Sequence, residues 1–496
     1  MQKGRWVTFL LVAITAYGQA VEDHLRTIGK EDPRQREEAF RWARAYPFER
    51  IPEGARLRAL EQLRSIERAT GKASLQALQP RWQPIGPFTI GGRVRTVVHH
   101  PTKDGWVYIG AAAGGIWRTT DGGQSWTPLF DDGNSLSFGA LAIDPNNPDI
   151  LYAATGEMSN NIDSYLGAGI FKSTDAGQSW TPIGLTHVGA FSKIEVHPLN
   201  SNLVVAGATK NFPGFWRSTD GGRTWQRTFI GVVTDVSLNP RDTAEFFIGV
   251  QGRGVYHSTD GGQTWQFRSN GLPTSLGRVC VQQAPSAADI LYALIEQGGS
   301  GGIGAIYKSS NRGQSWSLVY QGQSSFFNGQ GWYNAYVVIH PTNPNLVLAG
   351  GIDIYRTTDG GTTWINVTNG YTGGNVHVDQ HAAAFNPRNP NVVYAGNDGG
   401  MYRSTDAGAT WSPINNGLAV TQFYAMAIDQ SKDNVNYGGT QDNGTLGNRN
   451  NNWGMVAGGD GFFVAVDHDN PDVIYGEFPN GDLWQYNLAT GLFRRI

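Results

Sequence analysis

The chain has 496 residues and balances 38 Lys+Arg against 41 Asp+Glu, a formal charge of −3, so it has no overall positive field to hold nucleic acid or an anionic membrane. It is too long for one ordinary core, and 66 glycines with only 16% charged residues point to many short strands and turns rather than long helices. A lone Cys280 excludes an internal disulfide and any multi-cysteine zinc site.

Lys3 and Arg5 precede the apolar run from Trp6 to Tyr17, and Gly18-Gln19-Ala20 offers small residues for cleavage. Residues 1–20 read as a signal peptide, since a dozen apolar residues fall short of the ~20 needed for a membrane span. The expectation is a secreted or periplasmic protein. Residues 21–80 carry 12 Lys+Arg and 10 Asp+Glu. Leu57, Leu60, Leu63 and Ile66 follow helical spacing, and Glu61 stands three before Arg64. This predicts a short charged helical segment with a solvated face.

From residue 81 to 496 one pattern recurs. Thr119-Thr-Asp121-Gly-Gly123-Gln-Ser-Trp126 returns in six more copies, with acidic or amide positions Asp175, Asp220, Asp260, Asn311, Asp359 and Asp406. The tryptophans are 40 to 54 residues apart, the period of a propeller blade. Within each copy a hydroxyl and a carboxylate accept backbone N–H bonds, a glycine supplies φ > 0 and the Trp buries its ring. The acidic residue is therefore a turn clip rather than a catalyst. Asn311 supports this reading, because an amide makes the same bonds but is no general base. Turns such as His100-Pro101, Asp144-Pro145 and Asn386-Pro387, each followed by an apolar strand, count nine units to the end of the chain. The predicted fold is all-β: a large propeller of about nine (eight to ten) four-stranded blades.

The (S/T)-x-D-x-G-x-x-W turn resembles the Asp-box, or BNR repeat, of sialidases, xyloglucan-cleaving tandem propellers and the sortilin ectodomain. Together with Trp82-Gln-Pro-Ile85 and the following glycine-rich segment, it is most similar to exported bacterial sortilin-type propellers often labelled glycosyl hydrolases. The resemblance implies a propeller with a peptide, protein or glycan ligand. The xyloglucan-cleaving propellers carry an Asp in the first strand of blade one, where Gly92-Arg93-Val94-Arg95 places Arg95 here, so a carboxyl pair has to come from elsewhere. Arg50-Ile51-Pro52 matches a sialidase segment only inside the charged prelude. Trp82 to Ile85 reads as an outermost strand lacking its own blade, which implies either a further blade in a longer protein or a ring closed by sharing.

The connections leading into each blade's first strand, and the loops between its second and third strands, share the face opposite the Asp-boxes. Charge there concentrates on blades one, seven and nine. If blade nine closes onto blade one, Arg93, Arg95, Asp379, His381 and Asp460 form one sector with Asp398, Gln441, Asp442 and Glu477, and Glu157 reaches in from blade two. Asp379, Asp442, Asp460 and Glu157 are the candidate catalytic carboxyls, with Glu477 a further acid at the site. Trp332 and Tyr333 are the candidate sugar-stacking platform, and His377-Val-Asp379-Gln-His381 would project three polar side chains from one strand face. Their spacing is stretched for one ion, so no metal and no cofactor are expected. The leading reading is a recognition module for a peptide, protein or glycan. The alternative is a glycoside hydrolase using paired carboxyls of blades seven to nine.

Overall fold

A computed structural model describes residues 84–496, except 132, 134, 160–162, 299–302 and 451, and eight helical positions between 42 and 66. The expected signal peptide and Trp82 lie outside the described residues. Among the described residues no helix is long and apolar enough to cross a membrane.

Nine antiparallel four-stranded sheets follow one another along the chain, each with its strands in sequence order. Blade one runs Val94–His99, Val107–Ala111, Ile116–Thr119 and Thr127–Pro128. Second strands such as Leu151–Thr155 and Val393–Asn397 are buried throughout, because both faces of each blade pack on neighbours.

The Asp-boxes form as the sequence predicts. Ser173 Oγ donates to Asp175 Oδ1 at 2.7 Å and receives the Gly177 N–H at 2.8 Å, while the Ser179 N–H reaches Asp175 Oδ1 at 2.9 Å. The Ser179 hydroxyl and N–H, with the Ser173 hydroxyl, hold the Asp175 carboxyl down to about 2. Four of the seven boxes also reach across to the preceding blade through the tryptophan N–H, whereas the indole N–H groups of Trp265, Trp364 and Trp411 are buried without a hydrogen-bond partner among the described residues. The indole N–H of Trp180 donates to Leu129 O, that of Trp225 to Ile183 O and that of Trp316 to Arg268 O.

This inter-blade bond identifies where the ring closes. Trp126 of blade one donates to Ile414 O of blade seven at 2.8 Å, repeating the same contact across the closure. Gly123, at φ 96°, stands where an added Cβ would lie 2.6 Å from Ile414 Cδ1. Val94, Val97, Trp117 and Trp126 share a core with Tyr394, Met401, Leu418 and Val420, and His99 Nε2 bonds Ala384 O at 3.0 Å. The expected count of nine blades holds, but the closure of nine onto one does not. Blades one to seven form a closed ring, and blades eight (Phe423–Ile428 onward) and nine (Val464–Val466 onward) pack on each other around Tyr437, Ile474 and Trp484. The segment after Trp82 supplies no closing strand: Ile85 O accepts from Trp453 of blade eight at 2.6 Å, and Gly91 and Gly92 press against Gly399 O and Val420 O, where no Cβ would fit.

Trp126→Ala removes both the buried ring and the closing bond, and is expected to lower unfolding free energy by about 3–5 kcal/mol, measured by denaturant titration. A loss below about 1 kcal/mol would contradict this closure.

Candidate functional site

Closing blade seven onto blade one makes blades six, seven, one and two neighbours, and their loops bring together most of the charged residues singled out above. Arg93 and Arg95 flank Val94 at the start of blade one. Glu157 and Asp163 come from the loop after Leu151–Thr155, and Tyr333 precedes Tyr336–Ile339. His381 and Asp398 belong to blade seven. Asp379 precedes Gln380–Phe385, and Asp442 sits between Val435–Thr440 and Thr445–Arg449 of blade eight.

The buried cations come first. Arg93 is fully buried; its Nε lies 2.9 Å from Glu157 Oε1, one Nη2 bond reaches Asp163 at 2.9 Å and Nη1 donates to the Tyr333 hydroxyl at 3.0 Å. That hydroxyl donates to Asp398 Oδ2, while His381 Nε2 donates to Asp398 Oδ1 and Arg95 donates to His381 Nδ1. Burial, then Arg95, push the His381 imidazole down to about 4. It is therefore neutral, with its proton on Nε2. Asp398 also accepts from Gln441 Nε2 at 2.9 Å. Burial alone would raise Asp398, but His381, Arg93 and Tyr333 outweigh it and hold the group ionised.

Asp379 and Asp442 contrast with it. Carboxylate oxygens of Asp379, Asp398 and Asp442 lie within 4.8 Å of one another. Burial, then the charges of Asp442 and Asp398, drive Asp379 well above the usual carboxylate range. It donates a hydrogen bond to Asp442 and accepts one from Asn334 Nδ2 at 2.5 Å. Burial and then Asp398 push Asp442 up to about 7. Its side chain is 24% exposed, with His377 Nδ1 at 3.9 Å. Both residues have left-handed backbone, φ 65° and 57°, which carries a cost outside glycine. Both carboxyls are shifted upward and titrate as an interacting pair. Among the described residues this triad is the one cluster with the spacing of a cation site, but Asp398 already accepts three protein donors and the other two acids share their bond.

Several expectations need correction. Trp332 and Tyr333 are buried, 9% and 5% exposed, so neither presents a face to a sugar; Tyr333 is instead a relay between Arg93 and Asp398. Burial would raise Glu157, but Arg93 and Arg95 prevail and hold it low, so this candidate catalytic acid is a fixed counter-ion. His377, Asp379 and His381 do not share a strand face. The strand begins at Gln380, and the reversal at Asp379 sends His377 to Asp442 O at 2.9 Å and His381 towards Arg95. Asp460 accepts the Asp442 N–H at 2.7 Å and positions that loop. Among the described residues, no hydrogen bond or ion pair joins the Glu477 side chain to the cluster; its carbonyl accepts from Phe462. Asp163, Asn334 and Tyr371 escaped sequence reasoning because they lie in loops outside the repeat. Tyr371 is 63% exposed, and desolvation, then the neighbouring carboxyls of Asp379 and Asp442, push its hydroxyl up.

Comparison with known proteins agrees with this architecture. Residues 256–267 match the BNR/Asp-box repeat, and the chain is an Asp-box β-propeller. It is 26% identical over 333 residues to a xyloglucanase of Paenibacillus sp, covering 58% of this chain and 32% of that protein. It is 30% identical over 186 residues to a xyloglucanase of Hypocrea jecorina, covering 34% and 22%. The chain thus spans a third or less of the length of these two relatives. Among solved structures it superposes on an ancestral GH74 enzyme with TM-score 0.63 at 18% identity, over 84% of this chain and 64% of that one. The GH74 xyloglucanase from Xanthomonas campestris gives TM-score 0.59 at 18% identity, over 84% and 75%. The two solved structures share the propeller fold with this chain.

A carboxyl whose folded pKa is raised binds a proton that the unfolded chain has released, so stability falls as pH rises from about 4 to about 7. Asp442→Asn removes that titration. Its melting temperature is expected to exceed that of the wild type by more at pH 8 than at pH 5; equal differences at the two pH values would contradict the raised pKa.

Proposed function

We propose that this propeller is an exported glycoside hydrolase acting on a β-glucan such as xyloglucan, with Asp379 and Asp442 as its carboxyl pair. The observation that carries the reading is the meeting of Asp379, Asp398 and Asp442, with carboxylate oxygens within 4.8 Å of one another, at the seam of blades seven and eight. Glycosidic cleavage needs one carboxyl to protonate the leaving oxygen and a second, ionised, to act on the sugar or on water. Asp379, raised well above the usual carboxylate range by burial and its acidic neighbours, is the acid; Asp442, ionising at about 7, is the base or nucleophile. Burial raises both, and the fixed charge of Asp398, kept ionised by its own partners, adds to it. A sugar entering the seam breaks the bond between the pair. The separation it imposes, about 5–5.5 Å or about 6.5–9.5 Å, decides retention or inversion. Tyr371, exposed beside the acids, offers the stacking face that Trp332 and Tyr333 do not. The relatives' substrate supports the choice of polymer.

The test is release of reducing ends from xyloglucan and other plant polysaccharides by the purified protein. The wild type is expected to turn over at least one of them, with an acid limb near pH 7. Asp379→Asn and Asp442→Asn are each expected to lower kcat by about 10²–10⁴-fold while melting cooperatively. Binding without turnover in the wild type would restore the recognition module, and activity retained in both variants would move the chemistry elsewhere.

A further inference from the structure

Beside the acid pair, and containing neither member of it, a cavity of about 390 Å³ opens where the ring meets the connector into blade eight. That is within the range of small-molecule pockets, roughly 300–1,000 Å³. Its walls include Leu136, Val420 and Phe423, and its polar lining includes Asp163 and Gln422. The contacts of Asp163 fall on one oxygen: Oδ2 receives Arg93 Nη2 at 2.9 Å and Gln422 Nε2 at 3.3 Å, which leaves Oδ1 as an acceptor. Gln422 Oε1 is buried with no hydrogen-bond partner. Tyr165 also lines the cavity and is 40% exposed, its backbone held by the Glu157 N–H at 3.1 Å and the Ser137 hydroxyl at 3.4 Å. The cavity is tied to the acid pair, since Gln422 O accepts the N–H of Gln441, the residue before Asp442, at 2.9 Å.

Two neighbouring acceptors beside an aromatic face match the chemistry of a sugar ring, which donates hydroxyls at its edge and presents C–H groups on its face. We infer that this cavity is a binding subsite for an uncharged pyranose residue of the polysaccharide, with its ring on Tyr165 and two hydroxyls donating to Asp163 and Gln422. Uronic acids are disfavoured, because a carboxylate lines the cavity and the adjacent cation, Arg93, is already engaged by Glu157 and Asp163. This inference deepens the hydrolase reading and rests on it for the identity of the polymer.

The test titrates the full chain carrying Asp442→Asn with xyloglucan oligosaccharides by calorimetry, alone and with Tyr165→Ala, Tyr165→Phe or Gln422→Leu added, each checked for an unchanged melting transition. Tyr165→Ala and Gln422→Leu are expected to weaken binding by about tenfold each, and Tyr165→Phe to retain it. Equal affinity in all four proteins, or no binding by any, overturns the subsite. Turnover by the wild type with no effect of these substitutions sinks the subsite alone. Tyr165-dependent binding in a chain whose wild type shows no turnover upholds the subsite and sinks the hydrolase.

Discussion

The closure of the ring depends on a contact made at four of the blade seams, the indole N–H of an Asp-box tryptophan donating to the end of the preceding blade. Trp126 makes it to Ile414, and that single instance ties residues nearly three hundred positions apart in the sequence. At this seam the ring is buried and its N–H is satisfied together, which avoids the cost of a buried indole without a partner. The glycine at position 123 serves the same contact. Its absent side chain makes room for Ile414, a requirement separate from its positive φ.

Closure has an electrostatic consequence. It brings Arg93 and Arg95 of blade one against acids and a tyrosine from blades two, six and seven, in a space from which water is largely removed. Buried charges are costly unless paired and hydrogen-bonded, and here the pairing is nearly complete. Arg93 meets Glu157, Asp163 and Tyr333, while Arg95 reaches Asp398 through His381. Asp379 and Asp442 stand at the edge of that network with no cation at comparable distance. Burial first, and then their mutual repulsion and the fixed negative charge of Asp398, push both acids upward.

Much of this was legible in the sequence. The seven Asp-boxes announced the blades and their turn chemistry, because each uses a local pattern of hydroxyl, carboxylate, glycine and tryptophan, and the turns before each second strand announced their number. The loop face and most of the charged residues that meet there were also readable from their register within each blade. Three things were not. Where the ring closes depends on which blade surfaces match, and blades eight and nine share the apolar alternation of the others. The left-handed backbone at Asp379 breaks the two-residue period on which the His377 to His381 reading relied. Burial of Trp332 and Tyr333 follows from packing between blades, whereas Tyr371 and Asp163 lie in irregular loops where no period exists to mark them.

The claim on which the account turns is that the seam beyond blade seven holds two acids with one proton between them. Carbon-13 NMR of aspartate-labelled protein, titrated from pH 4 to pH 9, tests it most directly. The account predicts one carboxyl resonance shifting near pH 7 and a second still protonated above it, with both features lost in Asp379→Asn. Complete ionisation of every aspartate carboxyl below pH 5 would contradict it.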